Sequence, residues 1–172
     1  NEKELPKSFP NRGFQGLPEG SEDIQIWYPV LHGPNGEDGA IQGLFKLIDK
    51  PFVGSGVLAS AVGMDKLAMK AAFTSAGLPQ VAYCTANANE LIQKALRIEL
   101  IQKLETQIGY PCFIKPANLG SSIGITKAHN KIELTKGLEE AARLDQRIVI
   151  EKAVIEKELE CADLRAAEHK TS

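Results

Sequence analysis

Residues 115–128, KPANLGSSIGITKA, combine a lysine, two adjacent serines and two glycines in one short stretch. Ser121 and Ser122 offer hydroxyl and amide hydrogens side by side, and Lys115 adds a positive charge just upstream. Such groups suit an oxyanion, and phosphate is the one we expect. Gly120 and Gly124 would allow positive φ and a close backbone approach to a ligand. The stretch therefore predicts a phosphate-covering loop, with a plain Gly-Ser hairpin turn as the alternative.

The order of residues in this loop differs from that of a Walker A motif. In a Walker A motif the lysine and Ser/Thr follow the last glycine at the start of a helix, whereas here Lys115 comes first. The segment after the serines, IGITKA, alternates as a strand does. We therefore predict that the loop joins two strands.

A second candidate lies in HGPNGEDGAIQG, residues 32–43, which follows an apolar segment at 24–31. Ligands of open α/β sheets bind beyond the carboxyl ends of strands, so His32 could donate to a substrate carboxylate or a transferring phosphate. A turn histidine satisfied by the backbone is the alternative. Glu37 and Asp38 could belong to this loop's chemistry or cap the helix that begins near Gly39.

Two further segments carry charged residues at suggestive positions. In MDKLAMK, Lys66 and Lys70 are four residues apart and share a helix face, where Lys66 could reach a phosphate; for Lys70 we favour a solvated face. In VIEKAVIEKELE, 149–160, a strand ends in Glu151 and Lys152, and its backbone could bind an adenine edge while Glu158 accepts from ribose hydroxyls. An edge strand with alternating charges is the alternative.

Hydrophobic periodicity gives the elements that must position these residues. From residue 80 to 152 the pattern predicts the order β-α-β-β-α-β, a split βαβ arrangement. Strands are predicted at 24–31, 51–56, 80–86, 111–116, 122–128, 147–154 and 157–163, and helices at 39–50, 57–77 in two pieces, 89–109 and 131–145.

Composition narrows the class of protein. The 172 residues carry a net charge of −2 with 43% hydrophobic residues, which is ordinary for a globular chain and gives no electrostatic reason to expect nucleic acid as a partner. Apolar runs stay well short of the ~20 residues that span a bilayer, so we expect no membrane insertion. The three cysteines, Cys84, Cys112 and Cys161, are widely spaced, which argues against a disulfide framework or zinc site and favours the cytoplasm.

Taken in chain order, four motifs closely resemble the D-alanine–D-alanine ligase family of ATP-grasp enzymes. They are HGPNGEDGAIQG, GSGVLASAVGMDK, GYPCFIKPANLGSSIGITK and IEKAVIEKELEC, and the resemblance covers residues 24–162. It implies an α/β fold, with the end of a parallel-sheet, Rossmann-like (pre-ATP-grasp) N-terminal domain at 1–63. The α+β central ATP-grasp subdomain would occupy 64–162, followed by a non-matching tail at 163–172.

The resemblance also implies an activity. Enzymes of this family phosphorylate the carboxylate of one D-alanine with ATP, and the amine of a second D-alanine attacks the acylphosphate, giving a dipeptide for peptidoglycan. ATP and Mg²⁺ (or Mn²⁺) are the implied cofactors, and a homodimer is the implied assembly. Alternatives are an acceptor other than D-alanine, such as D-lactate or D-serine, or a non-catalytic fragment. We expect the 172-residue chain itself to be inactive, with metal ligands in a C-terminal part that it lacks.

By match to the family motifs, residues of this chain acquire specific roles. Ser121 would be catalytic in the loop over the reacting phosphate, together with Ser122, while His32 would be catalytic on the substrate side beside Glu37. The remaining residues implied to bind ATP are Lys66 and Lys115 at the phosphates, Glu151, Lys152 and Val154 at the adenine, and Glu158 at the ribose.

Overall fold

A computed structural model describes residues 16–155 and residue 159, which form two compact units divided after Ala61. Glu158, Cys161 and the segment 163–172 lie outside the described residues, as does the predicted strand 157–163 apart from Leu159. No helix within the described part of the chain is long and apolar enough to cross a membrane.

The first unit is built around an aromatic cluster. Phe45, on helix α1 (Ala40–Leu47), is only 3% exposed, and its ring centroid lies 5.2 Å from that of Trp27 and 5.4 Å from that of Phe52. A 3-10 turn at Ser21–Asp23 precedes this cluster, and helix α2 (Val57–Met64) begins in this unit. The prediction of a helix from residue 39 is thus confirmed over its first two turns.

The predicted buried strand at 24–31 is wrong, and so is the short strand at 51–56. The structure has one isolated parallel bridge between Trp27 and Phe52, closed by N–H donation from Trp27 to Pro51 O (2.9 Å) and from Val53 to Trp27 O (2.8 Å). Ile26, Tyr28 and Val30 are 58%, 72% and 69% exposed. A segment with strand-forming residues becomes a strand only when it pairs with neighbouring strands. Segment 24–31 pairs with the other described residues of this unit through a single bridge, so no strand forms there.

The second unit is a four-stranded antiparallel sheet with helices. Its strands are β1 (Tyr83–Asn87), β2 (Cys112–Pro116), β3 (Thr126–Ala128) and β4 (Arg147–Lys152), in the order β1-β4-β2-β3. Its helices are α3 (Lys66–Ser75), α4 (Asn89–Ile92), α5 (Lys94–Gln107) and α6 (Lys131–Ala142). Because β4 runs antiparallel between β1 and β2, those two strands are parallel, as the predicted split βαβ order requires.

The helix predicted at 89–109 is broken at Gln93, whose ψ of 125° is extended. Side chains near the end of β1 anchor the first turn, because Asn87 Oδ1 accepts from Asn89 N (3.0 Å) and Glu90 Oε2 accepts from Asn87 N (2.6 Å). Helix α4 therefore continues from the strand end, and α5 starts anew after Gln93. The predicted stop at Gly109 holds, with φ of 69°.

One face of the sheet is covered by helices and forms the core. Alternate residues of β2 and β4 are fully buried there, including Ile114, Ile148 and Ile150, together with Leu104 of α5 and Leu138 of α6. Cys112 is also buried on this face, as its apolar surroundings in the sequence predicted. Since side chains alternate along a strand, the residues between these ones project to the opposite face. That face carries the candidate site.

Candidate functional site

The opposite face of the sheet presents charged and aromatic side chains at paired positions. Glu151 of β4 lies between Phe113 of β2 and Tyr83 of β1 in the strand register, and Lys115 is two residues beyond Phe113. Neighbouring residues on one face of antiparallel strands are close enough for their side chains to interact. The register therefore assembles these four residues from segments far apart in the sequence.

Glu151 is the centre of a buried charge network. It is 9% exposed; its Oε1 lies 2.6 Å from Lys70 Nζ, and its Oε2 accepts from Lys115 Nζ. Burial alone would raise the pKa of Glu151, yet the hydrogen bonds and charges of Lys115 and Lys70 outweigh burial and hold the pKa below its usual range. Glu151 is thus ionised and shared between two cations.

The structure corrects the prediction for Lys70, which is not on a solvated face. Lys70 is 6% exposed, and its ammonium lies 4.6 Å from the centroid of the Tyr83 ring. Helix α3 directs this residue onto the sheet, where Glu151 supplies the countercharge. Helical spacing places Lys66 and Lys70 on one face but does not reveal which face meets the sheet.

Lys66 lies beside the same network. Its side chain donates to the carbonyl of Leu119, and its backbone N–H donates to Ala117 O (2.9 Å). Burial, followed by the positive charge of Lys115, lowers the pKa of Lys66. An anion bound between Lys66 and Lys115 would favour the charged form of Lys66.

Helix α3 is held at this position by its N-cap. Asp65 Oδ1 accepts from the amides of Leu67 (3.0 Å) and Ala68 (3.1 Å), and its Oδ2 lies 2.5 Å from Arg147 Nη2 at the start of β4. The Asp65–Arg147 pair therefore ties the helix that carries two lysines to the strand that carries Glu151. Sequence analysis missed both residues, although an aspartate just before a helical segment is a recognised cap signal.

The loop between β2 and β3 is a strained turn. Ser121 and Ser122 have φ of 50° and 57°, and Ile123 N donates to Gly120 O (3.1 Å), as in a type I′ turn. Gly124 has the expected positive φ of 72°, but Gly120 does not, so that part of the prediction is wrong. Left-handed conformations cost non-glycine residues roughly 1–2 kcal/mol each, and this loop uses serines for two of them.

A cavity of about 230 Å³ lies over the network. Its lining includes Lys115, Ser122, Glu151, Lys152 and Val154, which are residues that the family resemblance assigns to ATP; that assignment stays a prediction. The rest of the lining, which sequence analysis missed, is apolar: Val81, Phe113 and Ile125. For Phe113 a signal existed, because a residue two positions before Lys115 shares its face of the strand.

The other predicted residues lie elsewhere. Ser121 is exposed in the loop next to Ser122, and it does not line the cavity. His32 and Glu37 are exposed residues of the first unit. Glu37 Oε2 accepts from Gly33 N (2.6 Å), and Asp38 accepts from Asn35 N (2.8 Å) and Ala40 N (3.0 Å). Both carboxylates therefore brace the loop. The N-cap of α1 is Gly39, and Asp38 accepts from the first amide of the helix, close to the capping role that the sequence alternative proposed.

Metal-binding geometry is not found among residues 16–155 and 159. In that part of the chain no group of three or more His, Cys, Asp or Glu side chains is placed to hold a metal ion. No metal ligand is therefore assigned within this part of the chain.

Comparison with known proteins identifies the family. The model of the D-ala D-ala ligase N-terminus matches residues 4–55, and that of the D-ala D-ala ligase C-terminus matches residues 72–172. The second match runs through residues 163–172, for which we predicted none. A D-alanine–D-alanine ligase of Prochlorococcus marinus is 63% identical over 160 residues, which are 93% of this chain and 46% of that protein.

Solved structures agree with the family models. The D-alanine-D-alanine ligase of Coxiella burnetii matches with a TM-score of 0.68 and 32% identity over 76% of this chain and 38% of that one. The VanG D-Ala:D-Ser ligase of Enterococcus faecalis matches with a TM-score of 0.67 and 36% identity over 77% of this chain and 37% of that one. The chain thus spans about half the length of the curated relatives it matches. With both family models matched and the four motifs in order, the chain belongs to the D-alanine–D-alanine ligase family.

Proposed function

We propose that this chain carries the nucleotide-binding part of an ATP-dependent ligase that joins two D-alanines for peptidoglycan synthesis in the cytoplasm. One observation carries the proposal. Five residues that the family resemblance assigns to ATP line the same cavity: Lys115 and Ser122 from one motif, and Glu151, Lys152 and Val154 from another.

The chemistry of the lining fits a nucleotide. Val81, Phe113 and Ile125 give the cavity an apolar wall suited to a planar base, and Lys115 and Ser122 give it a cationic, hydrogen-bonding side. The volume of about 230 Å³ lies below the roughly 300 Å³ of the smallest typical ligand pockets, so it suits a base better than a whole nucleotide. We infer that the base enters the cavity and that the phosphates face Lys66, Lys115 and the serine loop.

ATP, when bound, supplies the phosphoryl group that activates the carboxylate of the first D-alanine for attack by the amine of the second. This chain's residues serve that reaction by positioning and by charge. Lys66 and Lys115 neutralise phosphate charge, which is most of what such a reaction asks of a protein. The loop carrying Ser121 and Ser122 covers the reacting phosphate and excludes water, with Ser121 as a hydrogen-bonding catalytic residue.

The remaining roles follow the family match. His32 and Glu37 belong to the substrate side, and Glu158 would bind the ribose. Mg²⁺ or Mn²⁺ would neutralise further phosphate charge, and we assign it no ligand among the described residues. A homodimer is proposed for the whole protein.

The test is nucleotide-dependent thermal protection of the 172-residue chain. A ligand at about 100 times its Kd adds about 2.7 kcal/mol to the unfolding free energy, enough to raise Tm by several degrees. We expect ATP to protect the wild type and Lys136→Met, and to protect Lys115→Met much less. Lys136 is a matched control because its side chain is 77% exposed on α6. Absence of protection in the wild type would overturn the proposal.

D-Alanine is the proposed acceptor because the relative at 63% identity is named for it. D-Serine is the second candidate because the VanG D-Ala:D-Ser ligase matches at 36% identity. The two candidates can be distinguished by offering both amino acids to the whole protein and identifying the dipeptide products by mass spectrometry. A product dominated by D-alanyl-D-serine would overturn our choice.

A further inference from the structure

We propose that Lys70 is a positioning residue that keeps Glu151 paired and in place while Lys115 exchanges the carboxylate for a phosphate. The inference rests on the proposed nucleotide site. Lys70 does not line the cavity. The inference gives it a role in nucleotide binding, whereas the alternative is that it only stabilises the packing of its helix.

The two lysines that share Glu151 are not equivalent. Lys115 lines the cavity, and its side chain is 24% exposed, so it can meet a ligand. Lys70 binds the other carboxylate oxygen, its side chain is 8% exposed, and it does not line the cavity. The difference in burial therefore makes Lys115 the more accessible of the two cations to a ligand.

Lys70 is also the better immobilised of the two. Its ammonium lies 4.6 Å from the centroid of the Tyr83 ring, and Gln80 Nε2 (3.0 Å) and Thr74 Oγ1 (2.9 Å) hold its helix by donating to the backbone carbonyl of Lys70. Lys115 has a looser aromatic contact, 5.7 Å from the Phe113 centroid. Lys70 thus has the more buried ammonium and the closer aromatic contact of the two lysines.

Charge balance explains why both are needed. If Lys115 were the only partner of Glu151, its transfer to a phosphate would leave a buried carboxylate unpaired, which is strongly unfavourable. With Lys70 in place, Glu151 keeps one cation throughout. Lys115 can then contribute its charge to the phosphates without that penalty.

The test compares ATP with adenosine, both titrated by calorimetry into the full 172-residue chain. Adenosine lacks the phosphates, so the ratio of the two affinities measures the phosphate contribution. We expect Lys70→Met to lower that ratio by about tenfold or more, with adenosine affinity changed less than about threefold. Lys70→Arg, which keeps the charge, should retain most of the ratio.

A double variant provides the decisive comparison. In Lys70→Met/Glu151→Gln the carboxylate that would retain Lys115 is absent, so the ratio should return to the wild-type value or exceed it. This variant also removes a buried charge together with its partner, which proteins tolerate better than losing one of the two, so it serves if Lys70→Met does not fold. Lys136→Met is the control for total charge.

The outcomes separate the two proposals. A purely structural role for Lys70 would weaken ATP and adenosine equally, and an unchanged ratio in Lys70→Met would overturn the inference alone. A ratio that stays low in the double variant would also overturn it. Failure of the wild type to bind ATP would overturn the proposed nucleotide site, and the inference with it.

Discussion

Gly124 gives the sharpest test of the loop geometry, because another glycine in the same loop serves as its control. Gly124 has φ of +72°, and a Cβ there would lie 2.9 Å from Pro116 Cγ and would also clash with Leu144 Cδ1. The Leu144 side chain is 49% exposed and can rotate away, whereas the Pro116 ring is rigid and fully buried. Gly120 lacks a positive φ, and its Cβ would meet Met64 Cε at an ordinary 3.8 Å.

The magnitudes differ accordingly. For Gly124→Ala, the left-handed backbone costs roughly 1–2 kcal/mol, and the forced contact with Pro116 adds about 1–3 kcal/mol. The lower entropy of the unfolded chain returns about 0.4–1 kcal/mol. We therefore expect a net destabilisation of about 1–5 kcal/mol, a large share of the 5–15 kcal/mol typical of a folded protein. Gly120→Ala should change the unfolding free energy by less than about 1 kcal/mol in either direction.

Urea unfolding followed by circular dichroism at the helix band measures both variants. The single tryptophan, Trp27, belongs to the first unit, so its fluorescence would not report the sheet directly. With a urea dependence of about 1–3 kcal/mol per molar, the midpoint of Gly124→Ala should fall by about 1 M. Equal midpoints for the two variants, or a larger loss in Gly120→Ala, would refute the turn geometry on which the loop's role depends.

Three further outcomes are expected. Leu138→Ala, in the core, should lower the unfolding free energy by about 2–5 kcal/mol. The control Leu96→Ala, at a residue that is 40% exposed, should lower it by less than about 1 kcal/mol. Similar losses for the two variants in urea unfolding would contradict the burial of Leu138 in the core. Burial alone would raise the pKa of Asp65, but the Ala68 amide and Arg147 outweigh it and hold the pKa below its usual 3.8. The ionised carboxylate therefore stabilises the fold above pH 3.8, and this stabilisation is lost as the pH falls through the pKa of the folded state. Asp65→Asn should therefore flatten the acid side of a plot of Tm against pH. An unchanged plot would refute the pairing of Asp65 with Arg147. Burial raises the pKa of Cys112 to about 11, so peptide mapping after iodoacetamide at pH 8 should find it unmodified until urea is added, and rapid labelling of the native chain would refute its burial.

Much of the second unit could be predicted from sequence because its signals are local. The alternation in 111–116 and the apolar run at 147–152 mark strands that are buried on one face or on both, and the glycines at 109 and 124 lie where the backbone requires positive φ. The resemblance of motifs named Lys115 on β2 and Glu151 and Lys152 on β4, which line the cavity. These features depend on neighbours a few residues away, which a sequence displays.

What could not be predicted depends on pairing between distant segments. Segment 24–31 has the composition of a strand, yet strand formation requires a ladder, and the described residues provide one bridge. Lys70 has the spacing of a surface lysine, yet the packing of α3 on the sheet brings its ammonium to Glu151, which lies 81 positions later in the sequence. Val81 becomes a cavity wall only once the pairing of distant strands is known, whereas Phe113 could have been predicted because it shares its strand face with Lys115.

The loop and the charge network share a physical property that favours a functional origin. A purely structural turn of this type prefers glycine or asparagine at its two central positions, because both require positive φ. Here serines occupy them, while Gly120 stands beside them in a conformation that needs no glycine. Similarly, the sheet face below holds a buried carboxylate and two lysines where apolar side chains would cost less. Local strain and buried charge both lower stability, and proteins concentrate such features where ligands are bound and reactions occur. That the two features meet at one cavity is the physical reason to place the nucleotide there.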